Sequence, residues 1–174
     1  VQKITIVPHT QGSLGYTLLM PEEDKTELRT RDELMAKIMV SMGGRAAEEV
    51  VMNTMTNGAS QDIQDATNVA RNMVAMFGMS DEFGMVALET INNQYLGGDT
   101  TLACSNETAT RIDAAVIAMV KEAHDKAYQI ISSHKDKLDE ISAYLLEKET
   151  ITGEEFMEIL ERKLEETTEA NLEA

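Results

Sequence analysis

One cysteine in 174 residues, Cys104, excludes an internal disulfide and leaves no thiolate cluster for zinc or an iron–sulfur centre. That usage fits a reducing compartment such as the cytosol. Positive charge is equally scarce. Lys and Arg number 15 against 31 Asp and Glu, and a net charge of −16 repels phosphate backbones and disfavours anionic lipid surfaces. Nucleic acid is therefore not expected as a partner. No apolar run approaches the roughly 20 residues that span a bilayer. The opening VQKITIVPH is too short and too regularly alternating for a signal peptide. No methionine starts the chain, which begins in mid-strand and is expected to be a piece of a longer polypeptide.

Sparse, too, are the usual catalytic signatures. The histidines stand apart at His9, in the turn after the first strand, His124, a surface or edge residue of a long helix, and His134, at a helix C-terminus. None pairs with another four residues away, as zinc-binding histidines on one helix do. Nothing in the sequence couples Cys104 to a histidine as nucleophile and base. Gly12-x-x-Gly15 lacks the Lys-Ser/Thr of a phosphate loop, and no GxGxxG opens a helix, so no nucleotide site is expected within the chain.

What is present is an ordinary globular composition, 43% hydrophobic and 26% charged, at the size of one domain. Twelve methionines and no tryptophan predict a core filled with flexible thioethers. KITIV at 3–7 alternates strictly, and YTLLM at 16–20 follows a Gly-containing connection, so the two runs read as a hairpin or neighbouring short strands. Residues 21–24 break that pattern. Thr30-x-x-Glu33 is a capping box opening a helix with Met35, Ile38, Met39, Met42, Ala46 and Val50 at helical spacing, widened by Leu34 and Ala36. Gly43-Gly44 inside it predicts close approach of another backbone, and Arg45 and Glu49 are spaced to pair.

A third segment starts near Ser60, carries Ile63, Ala66, Ala70, Met73, Val74 and Phe77 on one face, and stops at Gly78. Residues 78–105 read as a long irregular loop with a short strand near 85–88. A long helix follows from about 106 to 134, then helices over roughly 136–148 and after the capping box Thr152-x-x-Glu155. The expected fold is mainly α, a helical bundle-like domain with a small N-terminal β hairpin. It covers 1–165, and 166–174 form an acidic tail.

Asp62 sits in the first turn of the third segment. A carboxylate there interacts well with the helix dipole and free N–H groups, worth ~0.3–1 kcal/mol, and Asp65 adds to the same end. On the residues alone, that account suffices.

Longer strings add a second account. MGGRAAEEVV at 42–51, TNGASQDIQDATNVARNMV at 56–74 and GMS at 78–80 resemble the peptidase domain of FtsH-type ATP-dependent zinc metallopeptidases. The opening 1–24, the helix at 107–131 and LLEKETITGEEF at 145–156 are similar to the same family. The resemblance implies a membrane-anchored parent on the cytoplasmic side, with an AAA module using ATP and magnesium, assembled as a homo-hexamer. Such a parent degrades unfolded and membrane proteins. It implies zinc held by two histidines of an HExxH helix plus an Asp, here Asp62, with the Glu of that motif as general base. Glu48 and Glu49 become candidates to support that site, and Ile4, Thr5, Ile6 and Val7 a candidate edge strand for extended substrate.

HExxH occurs nowhere in the chain. In the family it lies just upstream of the first strand, so the boundary is expected to be a truncation. The chain alone is expected to bind no zinc and to be inactive, since zinc sites need three or four ligands. Losing that helix is expected to uncover apolar surface and to favour self-association or rearrangement near 34–52. The alternative is a non-enzymatic helical interaction or oligomerisation module on the same scaffold.

Overall fold

The computed structural model describes residues 1–7, 15–19, 28–92 and 99–170. His9, Gly12, the break at 21–24 and the last residues of the acidic tail, 171–174, lie outside the described residues. The elements run β1 (Lys3–Thr5), β2 (Tyr16–Leu18), α1 (Arg31–Ala47), α2 (Ser60–Ala75), β3 (Glu89–Asn92), β4 (Asp99–Leu102), α3 (Asn106–Ser133), α4 (Lys135–Lys148), β5 (Thr150–Thr152) and α5 (Gly153–Ala170). The chain is mainly α with small β elements, as expected. It divides into two units, Glu27–Ser133 and a second built from Val1–Thr26 with His134–Ala174.

The larger unit is a three-helix core. α1 starts at the expected capping box: Glu33 N–H donates to Thr30 Oγ1, and Thr30 N–H donates to Glu33 Oε2. Its i, i+4 row Leu34, Ile38, Met42 and Ala46 is buried against Ala66, Ala70 and Met73 of α2 and Ile112, Val116, Ala123 and Ala127 of α3. The many alanines let the helices pack closely. Ala36 falls about 200° around the helix from Leu34 and is exposed, so it does not widen the stripe. Gly78, at φ 63°, takes the left-handed turn that ends the segment after α2. Phe77, just past the helix, is exposed and leaves the apolar face.

The stretch 78–105 holds more order than a loop. β3 and β4 form an antiparallel hairpin with Thr90 opposite Thr101, whereas residues 85–87 lie in no strand and Met85 is 97% exposed. The apolar letters at 85–88 misled, because the strands that form are polar and Thr-rich and pair across the hairpin. Leu88 N–H donates to Ala75 O (2.7 Å), and Arg71 bridges buried Glu89 and Asp113, which ties the hairpin to α2 and α3.

The smaller unit centres on a three-stranded sheet, order β2–β1–β5, both pairs antiparallel, with Ile4 opposite Thr17 and Ile151. The pairing of β1 with β2 matches the expected hairpin. β5 leads straight into α5. Gly153 is required there, because the backbone of Val1 and Gln2 passes where a Cβ would stand. The second capping box also forms: Thr152 N–H donates to Glu155 Oε2 (2.8 Å) and Glu155 N–H to Thr152 Oγ1 (3.2 Å). Buried Lys137 on α4 donates to Ile159 O and Glu140, which satisfies a charge that burial alone would penalise.

Candidate functional site

α1 does not end cleanly. Residues Glu48–Met52 continue it as a π-helical turn, closed by Asn53 in the left-handed conformation. π turns widen the helix and re-aim side chains. Here the turn re-pairs the acidic residues. Arg45 does not reach Glu49, as their spacing predicts; it donates from Nη1 to Glu48 Oε2 (2.8 Å). Glu49 turns instead toward α3, its Oε1 3.2 Å from His124 Nε2. His124 is thus a half-buried contact residue rather than a surface one.

Glu48 and Arg45 together clasp Thr56. Thr56 donates its N–H to Glu48 Oε2 (3.1 Å) and its hydroxyl to Glu48 Oε1, while Arg45 Nη2 donates to Thr56 O (2.8 Å). Thr56 Oγ1 then caps the 3₁₀ turn Asn57–Ala59 by accepting from Gly58 N–H (3.1 Å), and that turn runs directly into α2. The end of α1 therefore sets where α2 begins. The hydroxyl and N–H of Thr56, with the charge of Arg45, hold the Glu48 carboxyl below the usual carboxylate range against the opposing effect of desolvation.

The sign of the resulting pH dependence follows. Stability from a depressed carboxyl is complete above its unfolded pKa of about 4.3 and is lost as pH falls through the folded value. Glu48→Gln should therefore lower stability at neutral pH, and its deficit should vanish in acid. Urea unfolding of both proteins between pH 3 and 7 checks this; a deficit that stays constant across that range refutes it.

Asp62 stands on the first turn of α2, exposed, in a helix whose N-cap, Ala59, offers no side-chain hydrogen bond. Among the described residues no hydrogen bond or ion pair engages its carboxylate. Asp65, one turn on, accepts from Gln61 Nε2 at 3.0 Å. A methyl group placed on Gly44 would lie 4.0 Å from Asp62 Oδ2, and one on Gly43 would meet nothing within 4 Å. Gly44 thus faces the carboxylate and Gly43 open space, and neither meets another backbone as expected.

Ile4, Thr5, Ile6 and Val7 do not form an edge. β1 is the central strand, with β2 on one side and β5 on the other, while Ile6 N–H donates to Glu149 O and Val7 N–H to Thr5 Oγ1. The second neighbour comes from residues 150–152, too far along the chain for a local reading to place.

The sequence profile of peptidase family M41 matches residues 1–159. The chain belongs to peptidase family M41. It is 50% identical over 174 residues to a protein of Clostridium perfringens named ATP-dependent zinc metalloprotease FtsH, covering 100% of this chain and 24% of that relative. Like-named proteins of Lancefieldella parvula and Thermotoga maritima are 52% and 44% identical over 163 and 172 residues, covering 94% and 97% of this chain and 25% and 28% of theirs. The chain thus spans about a quarter of the length of these relatives. The family match includes Asp62, Glu48 and Glu49 alike.

Sequence reasoning named the two glutamates but missed their partners, Thr56 and His124. Thr56 was within reach, as the first letter of the TNGAS string. His124 lies 75 residues from Glu49 and no local pattern joins them. Among the described residues no three His, Cys, Asp or Glu side chains converge, and no helix is long and apolar enough to cross a membrane.

Proposed function

We propose that this chain is peptidase-domain sequence of an ATP-dependent zinc metalloprotease, to which it contributes one zinc-ligating carboxylate, Asp62. The observation that carries the reading is the state of that side chain: exposed, without a hydrogen-bond or ion-pair partner among the described residues, and facing a glycine, inside the stretch matched to family M41. A helix-dipole carboxylate explains its position. It does not explain why its oxygen atoms have no partner among the described residues while Asp65 is engaged.

The residues present do not fit zinc by themselves. Asp62 supplies one oxygen donor, and useful protein zinc sites take three or four ligands. The remaining donors and the general base are assigned to an HExxH helix outside these 174 residues. Within the chain, the Arg45–Glu48–Thr56 clasp is assigned to hold the start of α2, and so the place of Asp62. Unfolded and membrane proteins are the proposed substrates of the longer enzyme, a membrane-anchored homo-hexamer powered by ATP with magnesium, working at the cytoplasmic face.

Proteolysis by the chain alone tests the division of labour. Purified chain should leave casein intact with and without added zinc, as followed by gel electrophoresis. Zinc-dependent turnover in a pure sample would mean that these residues hold a complete site.

A further inference from the structure

Asn57 followed by Gly58 is the single Asn-Gly pair in the 174 residues. Such a pair has a reaction of its own. The glycine amide nitrogen attacks the asparagine Cγ and gives up its proton, ammonia leaves, and a succinimide ring remains. Water then opens the ring at either carbonyl, to aspartate or to isoaspartate. Glycine favours the attack, because no Cβ hinders its nitrogen. Asn57 and Gly58 are both exposed, so water reaches them.

The fold opposes this reaction in three ways. Ring closure eclipses the asparagine Cβ with the glycine nitrogen about the Cα–C bond, far from the ψ of roughly −20 to −30° in a 3₁₀ turn. Asn57–Ala59 is such a turn, and Ser60 N–H donates to Asn57 O to close it. The proton that the nitrogen must lose is donated to Thr56 Oγ1 at 3.1 Å. Third, a methyl group on Gly58 would lie 3.6 Å from Glu48 Oε1, so a carboxylate borders the amide that has to become an anion.

The pair therefore reacts only from conformations in which the turn has opened. Where opening is fast relative to the chemistry, the rate is the open-chain rate multiplied by the open population. Thr56 controls that population, since its one hydroxyl accepts from Gly58 N–H and donates to Glu48, while Arg45 holds its carbonyl.

We propose that Asn57-Gly58 is a site of spontaneous deamidation, gated by the clasp of Arg45, Glu48 and Thr56. A product formed during one opening persists after the clasp recloses. Isoaspartate adds a backbone atom immediately ahead of α2, and so disturbs the helix start that carries Asp62. The proposal is independent of the peptidase reading and holds whether or not the chain serves a zinc site.

The test incubates the purified chain in mildly alkaline buffer beside a blocked TNGAS peptide, with products read by peptide mass mapping and by isoaspartyl methyltransferase labelling. The chain should react at least about tenfold more slowly than the peptide. Each variant is compared with a peptide of its own sequence. Thr56→Val should speed the reaction about tenfold and Glu48→Gln about threefold. Ile38→Val, which loosens the core and leaves the clasp alone, should react at the parent rate. A chain as fast as its peptide, or a Thr56→Val chain no faster than its parent, overturns the proposal. So does an Ile38→Val chain accelerated as much as Thr56→Val, which would make general unfolding the gate. Amide hydrogens of residues 60–62 should exchange faster in the isolated isoaspartate form than in Asn57→Asp, which adds the charge without the extra atom. Equal exchange overturns the effect on α2.

Discussion

Asp62→Ala, made in a longer polypeptide that carries this chain behind an HExxH helix, should cut proteolysis by about 100-fold or more and leave ATP hydrolysis largely intact. The size follows from what the side chain does in this account. Losing a residue that only supports a metal ligand costs about 10–100-fold, so losing a ligand costs at least as much. The helix-dipole alternative predicts little more than a loss of ~0.3–1 kcal/mol in stability. The two accounts therefore differ by orders of magnitude in one assay. Asp62 is exposed and has no partner among the described residues, so its replacement leaves no buried group unsatisfied there and the fold should persist. Casein degradation and phosphate release, measured side by side, check both halves. Retained proteolysis returns Asp62 to its helix-dipole role.

The largest expected effect on stability lies in the three-helix core. Ile38 is 0% exposed and sits mid-row on α1, packed among the buried residues of α2 and α3. Ile38→Ala should destabilise by about 2–5 kcal/mol, the sum of lost transfer free energy and the cavity left behind. Val40→Ala, two residues on and 68% exposed, should fall within about 0.5 kcal/mol. Urea denaturation midpoints of the two variants check the contrast. Equal midpoints would mean that α1 does not pack as described.

The core was legible in the sequence because its signals are local. Thr30 and Glu33 three apart, then apolar residues at helical spacing, are enough to start and face a helix. The same holds for Thr152 and Glu155 at α5. Where the reading failed, the deciding partner was distant or the helix changed its pitch. Arg45 and Glu49 have ideal α-helical spacing, but the π turn at Glu48–Met52 gives Arg45 to Glu48 and Glu49 to His124. β1 looked like an edge because its second neighbour, β5, is contributed by residues 150–152. The β3–β4 hairpin was hidden by its polar composition, since a hydrophobic periodicity cannot mark strands rich in Thr, Asn, Asp and Glu.

For the candidate site, the family and the candidate carboxylate were legible in the letters, whereas the contact at the start of α2 was not. No propensity argument points from Glu48 across to Thr56, yet that contact joins the end of α1 to the start of α2. An exposed acid in a first turn is common and says little. An exposed acid with no hydrogen-bond or ion-pair partner among the described residues, facing a glycine of the neighbouring helix, is a more specific arrangement.

Zinc content of the longer polypeptide, counted per chain by elemental analysis after exhaustive dialysis, tests the role of Asp62 most directly. Wild type should retain about one zinc per chain, and Asp62→Asn, similar in shape but a poorer donor, should retain far less and yield it sooner to a competing chelator. An Asn variant that keeps a full complement of zinc with unchanged competition would contradict the assignment.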